Sequence, residues 1–188
     1  MSAPPELPAI VAKAFDVSRR LGFVTSCRNE TGRLLATLAA SRSGTLAEFG
    51  TGCGVGSAWL RSGVRDGARI VTAELDRTRA KAVRTLFEGD DLVTVLEADW
   101  SKLRPYAPFS LLFIDVYEPK QSGIDIVAEL MKPGGFVVLD DFTPCESWPP
   151  IWEGRVDSVR ELWLADPRFT TAEVMVAADA AVLLATRR

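Results

Sequence analysis

The stretch Glu48-Phe-Gly-Thr-Gly-Cys-Gly-Val-Gly56 sets glycine at 50, 52, 54 and 56, directly after the apolar segment Thr45 to Phe49. Such a run cannot extend a strand or sit inside a helix without loss, because each glycine raises the entropy of the unfolded chain. It suits a tight turn in which backbone without Cβ atoms passes close to a ligand. The dinucleotide fingerprint needs its third glycine three residues after the second, where this chain has Val55 or Ser57 depending on the starting glycine. No Gly-Lys-Ser/Thr follows, so the run is not a phosphate loop either. A strand, a glycine turn and a helix opening near Ser57 to Ser62 are therefore expected around a bound cofactor.

The rest of the chain repeats the strand and helix alternation. Strands are expected at Arg69 to Ala73, Leu92 to Glu97, Ser110 to Ile114 and Phe136 to Leu139. Helices are expected at Arg28 to Ala40, Arg77 to Phe87, Gly123 to Met131 and Val156 to Leu164, the third stopped by Pro133-Gly134. Glu173 to Val176 and Ala180 to Ala185 read as a closing hairpin. This order predicts an α/β fold with a mostly parallel, doubly wound sheet covered on both faces. In such sheets ligands lie beyond the carboxyl ends of the strands, near the point where strand order reverses.

The length of 188 residues fits one domain, 1–188, with residues 1–27 as an N-terminal extension and cap. Residues 2–8 are Pro-rich and expected to fray or drape on the surface. No basic residue precedes an apolar stretch there, and no apolar run is long enough to span a bilayer, so neither a secretory signal nor a membrane partner is expected. A net charge of −3 argues against nucleic acid as a partner. Cys27, Cys53 and Cys145 are odd in number and far apart, which predicts free thiols and a cytoplasmic location. The absence of histidine removes Ser-His-Asp and Cys-His chemistry and His-ligated zinc.

Acidic residues stand at the strand ends. Glu74 closes the second strand, where a carboxylate can accept hydrogen bonds from both hydroxyls of a ribose. Asp76 reads as the N-cap of the helix that follows. Glu97-Ala98-Asp99-Trp100 ends the third strand, with a carboxylate for an adenine amino group and an indole to cover the ring. Asp115 ends the fourth strand and Asp140-Asp141 the fifth. Carboxylates emerging from apolar strands must be solvated, paired or metal-bound. Two readings are open: a hard divalent cation such as Mg²⁺ held by Asp115, Asp140 and Asp141, or a cofactor contact by Asp115 beside a loop cap by the pair.

Taken together, Glu48-Phe-Gly-Thr-Gly-Cys-Gly, Glu74, Asp99, Asp115 and Met131-Lys-Pro-Gly-Gly-Phe resemble the class I S-adenosylmethionine-dependent methyltransferases over about residues 28–186. Cys53-Gly54, Asp115 and Asp140-Asp141 are most similar to the small O-methyltransferases typified by catechol and caffeoyl-CoA O-methyltransferases. The resemblance implies a Rossmann-like sheet of about seven strands with an antiparallel strand in the C-terminal hairpin. It implies S-adenosylmethionine as cofactor, with Glu48, Gly50, Gly52 and Gly54 on its methionine and ribose side. Glu74 would hold the ribose and Ala98 with Asp99 the adenine, with Asp115 also near the cofactor. Asp115, Asp140 and Asp141 would bind a divalent cation. The relatives carry a lysine three residues after the first aspartate; here Glu118 stands there and the nearest lysine is Lys120.

The function expected is methyl transfer to a small-molecule acceptor, at a hydroxyl oxygen, with a divalent cation favouring the oxyanion or, without one, Asp115, Glu118, Asp141 or Lys120 as the proton-accepting group. Lys120 is also readable as an ordinary surface lysine. Trp148-Pro-Pro-Ile-Trp152 is placed to cover an aromatic acceptor or to pack under the late helix. Ser26 to Gly32 would close over the methionine or simply cap a helix, and Cys53 is read as a packing residue. The alternative is a non-catalytic protein that binds the nucleoside or a partner on the same fold. The apolar hairpin at 173–185 serves either a homodimer or the core.

Overall fold

The computed structural model describes residues 6–188, so most of the N-terminal segment expected to fray lies outside the described residues. Two helices come first, α1 (Ala9–Arg20) and α2 (Asn29–Ala39). Then follow β1 (Gly44–Phe49), α3 (Val55–Gly63), β2 (Ala68–Glu74), α4 (Arg77–Leu86), β3 (Val93–Glu97) and a 3₁₀ turn at Trp100–Tyr106. The second half runs β4 (Phe109–Ile114), α5 (Tyr117–Ser122), α6 (Ile124–Leu130) and β5 (Met131–Phe142). A small hairpin of β6 (Ile151–Trp152) and β7 (Arg155–Val156) precedes α7 (Ser158–Ala165), β8 (Phe169–Ala177) and β9 (Ala180–Arg187).

Seven strands form one sheet in the order β3-β2-β1-β4-β5-β9-β8. The pairs from β3 to β5 are parallel and β9 runs antiparallel to both neighbours, as expected for a doubly wound sheet with a C-terminal hairpin. Fully buried residues along β4 alternate between two cores. Leu112 and Ile114 pack with Ile124, Val127 and Trp163 on one face, and Leu111 and Phe113 with Leu35, Leu60 and Val83 on the other. Helices α1 to α4 thus cover one face, while α6, α7 and the 3₁₀ turn cover the other. This two-sided burial is why the central strands are mostly apolar rather than alternating.

Helix starts follow their caps. Asp76 accepts from the Arg79 amide at 2.8 Å and Asp157 from the Arg160 amide at 3.0 Å. Two features depart from the sequence reading. Residues 9–20 form a helix whose Val11, Ala14 and Val17 are buried, so this part of the N-terminal extension is packed against the body. Strand β5 is longer than Phe136 to Leu139, because pairing passes from Phe109–Met131 to Leu111–Phe136 and residues 132–135 are accommodated as a bulge. In the apolar hairpin, Val182, Leu183 and Ala185 of β9 are buried between β5 and β8, while Met175 on the edge strand β8 is exposed.

Candidate active site

Strand order reverses between β1 and β4, so the chains leaving these two strands diverge and open a crevice. After Phe49 the chain turns through Gly50, Gly52 and Gly54 at φ of 88°, 54° and 86°. A Cβ on Gly50 would lie 2.4 Å from Val116 Cγ1, so this glycine lets the β1 and β4 exits pack side by side. The resulting cavity of about 850 Å³ is walled by Gly50, Gly52, Glu74, Ala98, Asp99 and Trp100, with Asp115, Asp140 and Asp141 at one end. A strap, Phe23 to Arg28, also lines it.

Glu74 sits almost buried in this wall. Its Oε2 accepts from the Gly52 amide at 2.8 Å, and its Oε1 from the Asp76 amide at 2.9 Å and Arg79 Nη2 at 2.8 Å. The strand-end carboxylate is thereby locked to the glycine turn. The Arg79 guanidinium also lies 5.1 Å from the Phe23 ring, tying α4 to the strap. Arg79 was not singled out from sequence; its position in the first turn of a helix capped by Asp76 was the available signal.

Asp99 lines the cavity but caps the 3₁₀ turn, accepting from the Ser101 amide at 2.9 Å; hydrogen bonding by the Ser101 side chain first, and then by this amide, holds its carboxyl below the usual range. Trp100 packs on Phe49 with ring centroids 4.9 Å apart, and its indole Nε1–H donates to Glu118 at 3.1 Å. Two expected residues are not brought to the cavity wall. Gly54 faces α4, where a Cβ would come within 3.0 Å of Val83. Glu48 is buried beneath the turn, accepting from the Ser57 and Thr72 hydroxyls, and a Cβ on Gly56 would collide with it. Burial pushes the Glu48 carboxyl up to about 8, against the lowering effect of those two hydroxyls.

At the other end of the cavity Asp115, Asp140 and Asp141 converge, each offering a carboxylate oxygen within 4.8 Å of the others. Pairing between β5 and β9 slips between Leu139 and Phe142, and Asp141 takes a φ of 66°. This irregularity places Asp140 and Asp141 at the site together, where a regular strand would send them to opposite faces. Asp140 Oδ1 accepts from the Thr31 hydroxyl at 3.2 Å, which brings α2 to the site. Burial first, and then the Asp141 charge, raise the Asp115 carboxyl to about 8; burial also raises Asp140. All-oxygen donors with this convergence fit a hard divalent cation.

Lys120 is buried, not a surface lysine. Its Nζ donates to the Asp140 carbonyl at 2.8 Å and to Asp141 Oδ2 at 3.0 Å. A second cavity, about 380 Å³, lies beyond the triad and is lined by Tyr117, Lys120, Phe142, Trp152 and Arg160. It shares Asp115, Asp140 and Asp141 with the first. Trp152, half exposed, forms its rim, whereas Trp148 points into neither cavity. Arg160 was missed from sequence. It donates to the Thr143 carbonyl at 2.6 Å and is ion-paired, without hydrogen-bond alignment, to Glu173 and Asp157 at 3.0 and 3.4 Å. The cavity floor is thereby held to α7 and β8.

A family model described as a methyltransferase domain matches residues 47–142. A demethylmenaquinone methyltransferase of Clavibacter sepedonicus is 30% identical over 131 residues, covering 66% of this chain and 49% of that protein. A probable O-methyltransferase of Mycobacterium tuberculosis is 31% identical over 119 residues, 57% of this chain and 52% of that one. The chain spans about half the length of these curated relatives. Among solved structures, an O-methyltransferase from Bacillus cereus in complex with SAH superposes with a TM-score of 0.77 at 21% identity, over 97% of this chain and 92% of that one. The O-methyltransferase TomG from Streptomyces achromogenes, in complex with SAM, gives 0.76 at 22% identity over the same shares. These two likenesses establish the fold.

Proposed function

We propose, on the premise that this chain belongs to the methyltransferase domain family, that it moves a methyl group from S-adenosylmethionine to a hydroxyl oxygen of a small acceptor. One observation carries the reading: two cavities, one walled by a glycine turn and a strand-end carboxylate, the other by Lys120 and Trp152, meet at Asp115, Asp140 and Asp141. The names of a curated O-methyltransferase relative and of the SAM- and SAH-bound O-methyltransferase neighbours support the same chemistry, and the demethylmenaquinone methyltransferase supports methyl transfer.

S-adenosylmethionine, when bound, supplies a methyl on a sulfonium, open to in-line displacement. The first cavity fits it, with polar walls at Glu74 and Asp99, a flat indole at Trp100, and Gly50 and Gly52 exposing backbone. Glu74 would take a ribose hydroxyl through the remaining lone pair of Oε2, and the segment at Ala98 to Trp100 would face the adenine. Holding donor and acceptor in line supplies on the order of 7–11 kcal/mol through proximity. A carboxylate of Asp115 or Asp141, or Lys120 Nζ once it has given up a proton of its own, would take the acceptor proton. Asp115, Asp140 and Asp141 would hold a divalent cation, which would stabilise the acceptor oxyanion as a Lewis acid.

Tyr117 and Trp152 at the mouth of the second cavity favour an aromatic acceptor. The alternative of a non-catalytic binding protein drew on the missing lysine at 118, and the position of Lys120 against Asp141 favours catalysis instead. A homodimer remains a proposal for the sheet edge β8, where Met175 is exposed, and sedimentation tests it. Among the described residues no helix is long and apolar enough to cross a membrane. Three free cysteines support the cytoplasmic proposal.

The deciding experiment is calorimetric titration of S-adenosylhomocysteine into chelator-treated protein, followed by an acceptor screen with and without Mg²⁺. Micromolar binding and methylation of a phenolic acceptor are expected. No detectable binding would overturn the reading.

A further inference from the structure

We propose that Lys120 is a resident counter-ion that a divalent cation must displace from Asp141, so that this one side chain sets the cation affinity of the Asp115-Asp140-Asp141 triad. The inference rests on the reading that the triad takes a cation.

Three converging carboxylates, two of them largely buried, are costly without a compensating charge. The chain supplies one. Among the described residues Lys120 is the only basic side chain within 4.0 Å of any carboxylate oxygen of the three. Its ammonium has three protons, and two are committed, to the Asp140 carbonyl and to Asp141 Oδ2. The basic group is held there from behind. The fully buried Trp163 donates its indole N–H to the Lys120 carbonyl at 2.9 Å, which fixes the backbone of α5. Glu118, one turn-face away on α5, is taken up by Trp100 and brings no second charge to the triad.

A divalent ion coordinates carboxylate oxygen at roughly 2.0–2.6 Å. An ion seated on Asp141 Oδ2 while Lys120 stays at 3.0 Å from that oxygen would lie within a few ångströms of the ammonium. Like charges at such separations repel, and because the Lys120 ammonium is buried while Asp141 is exposed, water screens them from the Asp141 side alone. The same oxygen therefore serves the ammonium or the cation at full strength, not both. Asp140 has its Thr31 hydroxyl bond and Asp115 no hydrogen-bonded cation, so the competition is centred on Asp141.

The test uses the full chain, chelator-treated, with Mn²⁺ as the probe. Calorimetry and the paramagnetic resonance of free Mn²⁺ read binding without any turnover. Lys120→Met should bind Mn²⁺ about tenfold or more tightly than the wild type, as expected on removing a neighbouring like charge. In an Asp141→Asn background the same replacement should change affinity by less than about threefold, because the competed oxygen is gone. Lys120→Arg, which keeps the charge, should stay near the wild type. A second measurement needs no variant: saturating Mn²⁺ should raise acylation of Lys120, read by mass spectrometry, several-fold. Equal or weaker Mn²⁺ binding by Lys120→Met, or unchanged acylation, would overturn the inference, as would absence of Mn²⁺ binding in every form. S-adenosylhomocysteine titration on the same samples separates the two readings, since its failure would remove the cofactor assignment and leave the Mn²⁺ comparison standing.

Discussion

Trp100 donates its indole N–H to Glu118 at 3.1 Å, so the residue three places after Asp115 is turned toward the Trp100 side and does not line the second cavity. The role that a lysine at 118 would have filled is approached instead by Lys120, whose side chain leaves the next face of α5 and reaches Asp141. A shift of two residues along a short helix has redirected the basic group by more than half a turn.

Glu118→Ala should therefore leave kcat within about threefold of the wild type, while costing about 0.5–1.5 kcal/mol of stability for the lost bond to Trp100. Steady-state kinetics and denaturant unfolding check both. A hundredfold fall in kcat with intact folding would return Glu118 to the chemistry.

Glu74→Ala should weaken S-adenosylhomocysteine binding by about 1–3 kcal/mol, since it removes the acceptor for a ribose hydroxyl and frees the Gly52 amide and Arg79 together. Calorimetry reads this directly. An unchanged affinity would sink the ribose assignment.

Gly50→Ala should destabilise the protein by about 1–3 kcal/mol and weaken cofactor binding with it. The new Cβ would combine a φ of 88° with a 2.4 Å approach to Val116. Full stability in a thermal melt would show that the β1 and β4 exits can separate freely.

Glu48 carries a pH signature. Its carboxyl rises from an ordinary 4.5 to about 8 in the folded protein, so the native state binds the proton more tightly than the unfolded chain. Its contribution to stability is fully present below the unfolded value and is lost as pH rises through the interval up to about 8. Glu48→Gln should flatten the fall in unfolding free energy between these limits. Parallel slopes for the two proteins would contradict the buried, proton-holding carboxylate.

Asp140→Ala combined with Asp141→Ala should abolish any stimulation of methyl transfer by Mg²⁺ while leaving S-adenosylhomocysteine binding within about tenfold, because Glu74 and the glycine turn remain. Stimulation that survives the double replacement would place the cation elsewhere.

The amino-acid sequence by itself determined the strand and helix alternation, the glycine turn and the acidic strand ends. These are local signals, since β1 and β4 are mostly apolar and Asp76 caps its helix within three residues. What Glu48 and Gly54 do was decided by the tertiary structure, because both sit in the glycine motif yet face the packing behind it. Lys120 is the sharpest case. On the chain it is one charged residue in a polar hexapeptide; in the fold Trp163, 43 residues on, pins its backbone and a bulge in β5 turns Asp141 toward it. The same holds for the helix at 9–20 and for Arg160, whose partners Thr143 and Glu173 lie on other elements. Periodicity reports what a segment buries, whereas the direction of a polar side chain depends on distant neighbours that only folding brings within hydrogen-bond reach.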